Sequence, residues 1–453
     1  MMATIYEKAL EVTVWPGHVE DGISLDYIFN NGLHHCVITQ DIPRLRPLIQ
    51  QPYFTRIWPL QEIALSQRCN ILIGTDNILD IRSVFLMRHP ERPISCNRDN
   101  PELTPIRLEY ERVTTLHRRL LEVFESRFND SNTDTGLSIP PLISEVLLHA
   151  RSHQASESRD KVFALYGILQ RLKASLEPPD YLRPVEDIYL EASASAICKD
   201  RSLRVFEGLT GVSKYNLPSW SPDWSDHNHI FKVAEWNDHK ASGSSEPHFS
   251  IQGRHFLAHG LRIDVACYEH MAFASTSFLV EADTLAESLT EPLRNSSNVI
   301  ERQYLDLLEK LFLDIWGDLH TRHTREYPHW IWVKNDAENR TDKKAVCRLI
   351  GYRNQNETTK GAIKHCSILH ASMCRILDRK KLFQTREGRL GIASEAVKSG
   401  DSIVLLQGCN LPMVVRPEGT KWKLIAPAYL PADGIMDGKL WRSDGPFESF
   451  TFT

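Results

Sequence analysis

Apolar positions at the start of the chain recur at helical spacing, through Met2, Ile5, Tyr6, Ala9 and Leu10, and then switch to two-residue alternation at Glu11-Val12-Thr13-Val14-Trp15 before a Pro16-Gly17 turn. The pattern predicts a helix running into a strand. A second helix is expected from about Ser24, followed by a polar, proline-rich connection. Pro59 marks a further helix start, because proline's missing N–H has no intrahelical partner in a first turn, and Glu62 falls about one turn in. Next, Asn70-Ile71-Leu72-Ile73-Gly74 reads as a short buried strand, and Ile78, Ile81 and Phe85 behind a capping Asp76 read as a helix. Such alternation predicts a mostly parallel sheet, with Val12 to Trp15 and Ile71 to Ile73 as inner strands of one layer.

Residues 103–128 carry the pattern of a long amphipathic helix. Two more helices, Pro140 to His153 and Ser158 to Gln170, bracket Ala155-Ser156-Glu157, and Val162, Leu165, Tyr166 and Leu169 share a face of the second. Pro178-Pro179 breaks this run, and another helix follows from Val185 to about Lys199. Beyond Leu217-Pro218-Ser219-Trp220-Ser221-Pro222-Asp223-Trp224-Ser225 the character changes. Phe249-Ser250-Ile251 and Phe256-Leu257-Ala258 flank a turn at Gly253, a helix interrupts at 299–318, and from Leu382 short strands alternate with glycines at 388, 400, 408 and 419. That is the pattern of a small β-barrel or meander. The expected organisation is an α/β segment at 1–100, a helical region at 101–217, and a β-rich domain at 218–453 with a helical insertion near 299–318.

Composition narrows the class. At 453 residues, 42% of them apolar, the chain has enough material for two or three cores. Nothing approaches the ~20 continuous apolar residues of a membrane span, and no signal-peptide pattern opens the chain, so a cytoplasmic protein without membrane contact is expected. Net charge is -5 and the isoelectric point about 6.4, which provides no general attraction for nucleic acid. The nine cysteines form no C-x-x-C pair and read as reduced thiols.

The known catalytic signatures are missing: there is no G-x-S-x-G elbow, no G-x-x-x-x-G-K-[ST] phosphate loop and no G-x-G-x-x-G. Histidines cluster at His34-His35-Cys36, at His227 with His229, and at His320 with His323, but none has the spacing of a zinc site, so no metal is expected. Arg159-Asp160 reads as an ion pair at a helix start, Trp220 and Trp224 as the packing of a rigid connection, and Gly400, Gly408 and Gly419 as turn glycines.

Five blocks in this order resemble the fungal heterokaryon-incompatibility (HET) domain family: Met2 to Tyr6 through Gly17, Arg56-Ile57-Trp58 through Glu62, Arg159 through Gly167, Leu217 through Ser225, and Lys381 through Gly438. The last block holds Gly400-Asp401, Leu411-Pro412, Arg416-Pro417, Tyr429 and Asp433-Gly434-Ile435-Met436-Asp437-Gly438. Family members usually carry a Leu-Ser-Tyr-x-Trp-Gly block before the Ile-Tyr-x-x-Ala segment, and here the chain starts at that segment, so the resemblance implies a HET domain lacking its N-terminal part. It also implies self/non-self recognition and programmed cell death, acting through a protein partner.

Through the family's distant similarity to the TIR fold, Glu62 is the candidate catalytic carboxylate, Trp58 a stacking surface and Arg56 a phosphate partner for NAD as a substrate. A carboxylate can stabilise the oxocarbenium-like state of nicotinamide–ribose cleavage. The non-catalytic reading leads. NAD(P) hydrolysis is the alternative, and an accessory role in a secondary-metabolite gene cluster is a third.

Overall fold

The computed structural model describes residues 2–15, 51–73, 77–80, 141–226, 239–272 and 379–453, with the single positions Leu120, Gln303 and Leu307. Contacts gather the chain into two units, one of Met1–Asp200 with Trp224–Asn228, the other of Arg201–Asp223 with His229–Thr453. The expected helices at 103–128 and 299–318 lie outside the described residues except for those three helical positions, as do the three histidine clusters.

The first unit contains α1 (Met2–Lys8), β1 (Val12–Val14), α2 (Pro52–Thr55), α3 (Trp58–Leu65), β2 (Cys69–Ile73), β3 (Asn77–Asp80), α4 (Ile143–Ala150), α5 (Asp160–Phe163), α6 (Tyr166–Arg171) and α7 (Val185–Asp200). Strands β1 and β2 run parallel, Val12 opposite Cys69 and Val14 opposite Ile71, so the expected shared layer forms. Val14, Cys69 and Ile71 are its buried residues among those described. Among the described residues β2 is the middle strand and β1 an edge.

The helix expected behind Asp76 is instead a strand, β3, antiparallel to β2 with Asn70 opposite Asp80. Among the described residues the sheet therefore holds one parallel pair, β1 with β2, and one antiparallel pair, β2 with β3. A short apolar run fits either period, and here the ladder with β2 supplies the backbone partners that a lone helix turn would have to find for itself.

Helix α3 begins at Trp58 with Pro59 in second place, as the sequence predicts, but Glu62 is its fifth residue and no acidic group occupies the first turn. The helix-dipole effect fades within that turn, so it does not hold Glu62 in place. The single helix expected over 158–170 is two, α5 and α6, separated at Ala164 and Leu165. Gly167, in the first turn of α6, donates its N–H to Oε1 of the buried Gln61 at 2.8 Å. A Cβ on Gly167 would stand 2.4 Å from the Cβ of Ala3 and 2.7 Å from Cδ1 of Leu65, so only glycine lets these chain segments approach so closely.

Farther along, the first backbone N–H groups of α4, at Ile143 and Ser144, donate to Asp200 at 2.9 and 2.8 Å. The end of α7 thus caps the start of α4. Burial pushes the Asp200 carboxyl up, and the bonds from Ser144 and Ile143 oppose that shift.

The second unit is built from β4 (Phe249–Gln252), β5 (His255–Ala272), β6 (Lys380–Thr385), β7 (Leu390–Ser394), β8 (Ser402–Leu406), β9 (Met413–Glu418), β10 (Lys421–Tyr429) and β11 (Glu448–Phe452), with 3-10 turns at Arg204–Gly208 and Ala432–Asp437. Their antiparallel pairings close a ring: β5 to β6, β6 to β7, β7 to β10, β10 to β9, β9 to β8, and β8 back to β5. The expected small barrel is present. β5 serves two sides of the ring because bulges between Arg262 and Asp264 and between Ala266 and Tyr268 bend it. β4 and β11 pair with its first half.

Phe383, Ala393, Ile403, Leu405, Val414, Ile425 and Leu430 belong to the barrel core, each no more than 1% exposed. Every residue of β7 and β8 is buried, so both faces of these strands are covered. The glycines at 253, 388, 400, 408 and 419 all adopt positive φ. At Gly408 the requirement is also steric, since a Cβ there would stand 2.4 Å from Cα of Pro247.

Each tryptophan of the proline-framed segment packs into the core of its own unit. Trp220 lies against Phe256 and donates Nε1–H to the carbonyl of Arg254 at 3.0 Å. Trp224 donates to Oγ of Ser193 at 3.2 Å beneath the Arg151 guanidinium. Both indoles are fully buried with their N–H partnered, so their apolar area contributes to stability without an orphaned donor.

Candidate functional site

The segment from Tyr53 to Ile63 carries the candidate chemistry. Between α2 and α3 the backbone extends at Arg56 and bridges to Gln154: Ile57 N–H donates to the Gln154 carbonyl at 3.0 Å, and Gln154 N–H to that of Thr55 at 2.7 Å. This bridge fixes the start of α3. Ile57 turns into the core while Arg56 stays exposed.

Trp58 and Glu62 are four residues apart on α3 and so share a face. The Trp58 Nε1–H donates to Oδ2 of Asp160 at 3.0 Å, and the other oxygen of Asp160 accepts from the Tyr181 hydroxyl at 2.6 Å. Tyr181 also meets Phe163 edge to face, with ring centres 5.1 Å apart. Asp160 therefore joins α3 to the segment around Tyr181. Arg159, expected to pair with it, instead pairs with Glu157 at 2.7 Å and donates to the carbonyl of Arg183. The Asp160 oxygens are taken by an indole and a phenol, which leaves the guanidinium to the freer carboxylate two residues earlier.

Glu62, half-buried, accepts from the hydroxyl of Tyr53 at 3.1 Å and from that of Tyr6. Burial, then the charge of Glu62, pushes the Tyr6 phenol up to about 12. The same two causes, in the same order, drive the more deeply buried Tyr53 higher still, with the nearby Cys69 adding to them. Both phenols thus stay protonated and act as donors to one carboxylate. Arg56 is exposed just before α3.

Trp58 and Glu62 thus share a helix face, with Arg56 exposed at the extended step before it. Tyr6, Tyr53, Asp160 and Tyr181 complete the arrangement. Tyr53 stands nine residues before Glu62, a spacing with no recognisable period, and Tyr6 comes from another part of the chain, so no sequence signal pairs them with it.

In the barrel, two arginines lock the turns. Arg416 forms a two-pronged pair with the buried Asp401, Nε to Oδ1 at 2.7 Å and Nη2 to Oδ2 at 2.8 Å, and also reaches the carbonyl of Ala396. Arg389 pairs with Asp264 at 2.7 Å, and with Glu387 and Asp433 at 2.6 Å each. Asp433 and Gly434 are both left-handed, at φ 55° and 67°, which turns the chain beneath Arg389. Among the described residues no group of three or more His, Cys, Asp or Glu side chains is arranged to hold a metal ion. The four described cysteines are free thiols.

Residues 320–449 match the family described as the Het-6 beta-barrel domain, which links this stretch to heterokaryon-incompatibility proteins. The matched stretch includes β6 to β10 and the turn at Ala432–Asp437. Comparison with curated proteins and with solved structures gave no match. Among the described residues no helix is long and apolar enough to cross a membrane.

Proposed function

We propose that this chain acts in fungal self/non-self recognition, the process of heterokaryon incompatibility, by binding a protein partner whose engagement leads to programmed cell death. The observation that carries this reading is the Het-6 beta-barrel match at 320–449, falling on strands that close into a ring. A rigid barrel presents loops at fixed positions, which suits discrimination between allelic partners. The test is expression in a fungal host carrying a panel of partner alleles. Growth arrest with particular alleles is expected, and its loss in a Phe383→Ala chain would tie it to the barrel. Unchanged growth across a broad panel overturns the proposal.

A second reading, hydrolysis of NAD or a related nucleotide by Glu62, draws on the shared face of Trp58 and Glu62 and on the partial exposure of that carboxylate. Against it stand the two phenols, whose hydroxyls occupy carboxylate lone pairs that a ribose would need. Purified protein incubated with NAD and followed for nicotinamide release, beside a Glu62→Gln chain, separates the two. Release abolished by the substitution favours the enzyme, and no release from either chain leaves the recognition reading standing.

A further inference from the structure

We propose that the outer face of the barrel carries a transition-metal site made by His248 and His259. Phe249 of β4 lies opposite Ala258 of β5 as the last pair of that ladder, and His248, the residue before it, sets its ring beside that of His259, the residue after Ala258. The same row continues across β5 to β11, where Ser449 lies opposite His259. Phe256, Ala258, Phe450 and Phe452 are buried, whereas His248 and Ser449 are exposed and His259 half-exposed, so the three polar side chains share the solvent face of adjacent strands.

The two imidazole centres are 4.7 Å apart with planes inclined at 55°, neither stacked nor perpendicular. A metal about 2.0–2.1 Å from one nitrogen of each ring would stand roughly 3.2 Å from each ring centre, and centres 4.7 Å apart would then subtend about 95° at it. That is the angle between neighbouring ligands in tetragonal or octahedral coordination. Ser449 Oγ lies 3.2 Å from Nδ1 of His259, a bond that commits Nδ1 and leaves Nε2 as the ligand atom. Exposed His248 can turn a nitrogen to the same point.

Among the described residues no third His, Cys, Asp or Glu joins the pair, so water fills the remaining positions. Imidazole donors with open positions suit Cu²⁺, Ni²⁺ and Zn²⁺, and the general order of affinities places Cu²⁺ first.

The test is Cu²⁺ titration of the full-length chain, followed by electron paramagnetic resonance for nitrogen couplings and repeated on His248→Ala, His259→Ala and Ser449→Ala chains. One site with two imidazole nitrogens is expected. Its affinity should fall by at least about 10-fold in either histidine variant, and by less in the serine variant, whose hydroxyl acts only through His259. His248 is exposed and precedes β4, so its replacement leaves the barrel folded, as the thermal transition of that variant will verify. A His248→Ala chain that keeps the affinity and both nitrogen couplings overturns the site.

Discussion

The two units handle sheet edges in opposite ways. In the barrel, each strand of the ring has a partner on both sides, and among the described residues of that unit the one strongly exposed large apolar side chain is Val212. In the first unit, a three-stranded sheet ends at β1 among the described residues, and exposed apolar groups gather on the neighbouring segments: Met2 and Ile5 of α1, Leu10, Trp15 and Ile78. α1 has no fully buried residue at all. A ring satisfies its own backbone and inner faces, whereas an open layer depends on whatever covers it. Stability in the barrel should therefore rest on interior packing and on buried charge, and in the open layer on a few close approaches between helices.

The largest effect expected is in the barrel interior. Phe383 is fully buried, and its ring lies where a Cβ on Gly391 would come within 2.5 Å of Cζ, so the strand opposite is shaped around it. Phe383→Ala should cost about 3–5 kcal/mol in denaturant unfolding, as large-to-small changes in close-packed cores do. A cost near that of a surface change would mean that the ring is loosely filled.

Next comes the buried charge. Asp401 is 2% exposed at its side chain and its partner Arg416 26%. Arg416→Met leaves the carboxylate, among the described residues, with the backbone N–H of Lys398 as its remaining partner and should cost about 2–4 kcal/mol, a little less than a fully enclosed pair because the arginine keeps some water. If replacing Asp401 and Arg416 together by apolar residues is nearly neutral, the pair serves the shape of the Gly400 turn more than the energy of the barrel.

In the open layer the sharpest test is Gly167→Ala. The added methyl meets Ala3 and Leu65, and overpacking of this kind should cost about 1–3 kcal/mol, felt as lost hydrogen-exchange protection in α1, α3 and α6. Ala3→Gly in the same chain should restore part of it. No rescue would place the strain at Leu65 or Gln61 instead.

The contrast also explains what the sequence disclosed. Barrel strands were legible because each runs between glycines at 388, 400, 408 and 419, and these turns are local features. Ring closure was not, because it depends on β5 meeting β8 and β6 from far along the chain and on bulges that no pattern announces. In the first unit the parallel pairing of Val12–Val14 with Cys69–Ile71 followed from alternation, but β3 did not, since Asn77-Ile78-Leu79-Asp80 is too short to declare a period. At the candidate site, spacing within one helix put Trp58 and Glu62 on one face, whereas Asp160, which binds Trp58, Tyr6, which faces Glu62, and Tyr181, which binds Asp160, come from distant segments.

The smallest effect expected concerns those phenols. Tyr6 and Tyr53 both titrate above an ordinary tyrosine, through burial first and the Glu62 charge second. A tyrosine in the unfolded chain loses its proton near pH ~10. A group whose pKa is raised on folding contributes stability that is fully present below its unfolded pKa and lost as pH rises through the folded one. The first unit should therefore weaken from about pH 10 upward, with the Tyr6 contribution exhausted near 12 and that of Tyr53 still declining beyond it. Tyr53→Phe should cost about 1 kcal/mol at neutral pH, the net worth of one hydrogen bond, and should flatten this alkaline decline. Glu62→Gln should also flatten it, since removing the carboxylate charge removes one cause of the shift. If neither substitution changes the slope, Glu62 is not what holds Tyr6 and Tyr53 in place, and its carboxylate is left open to a substrate.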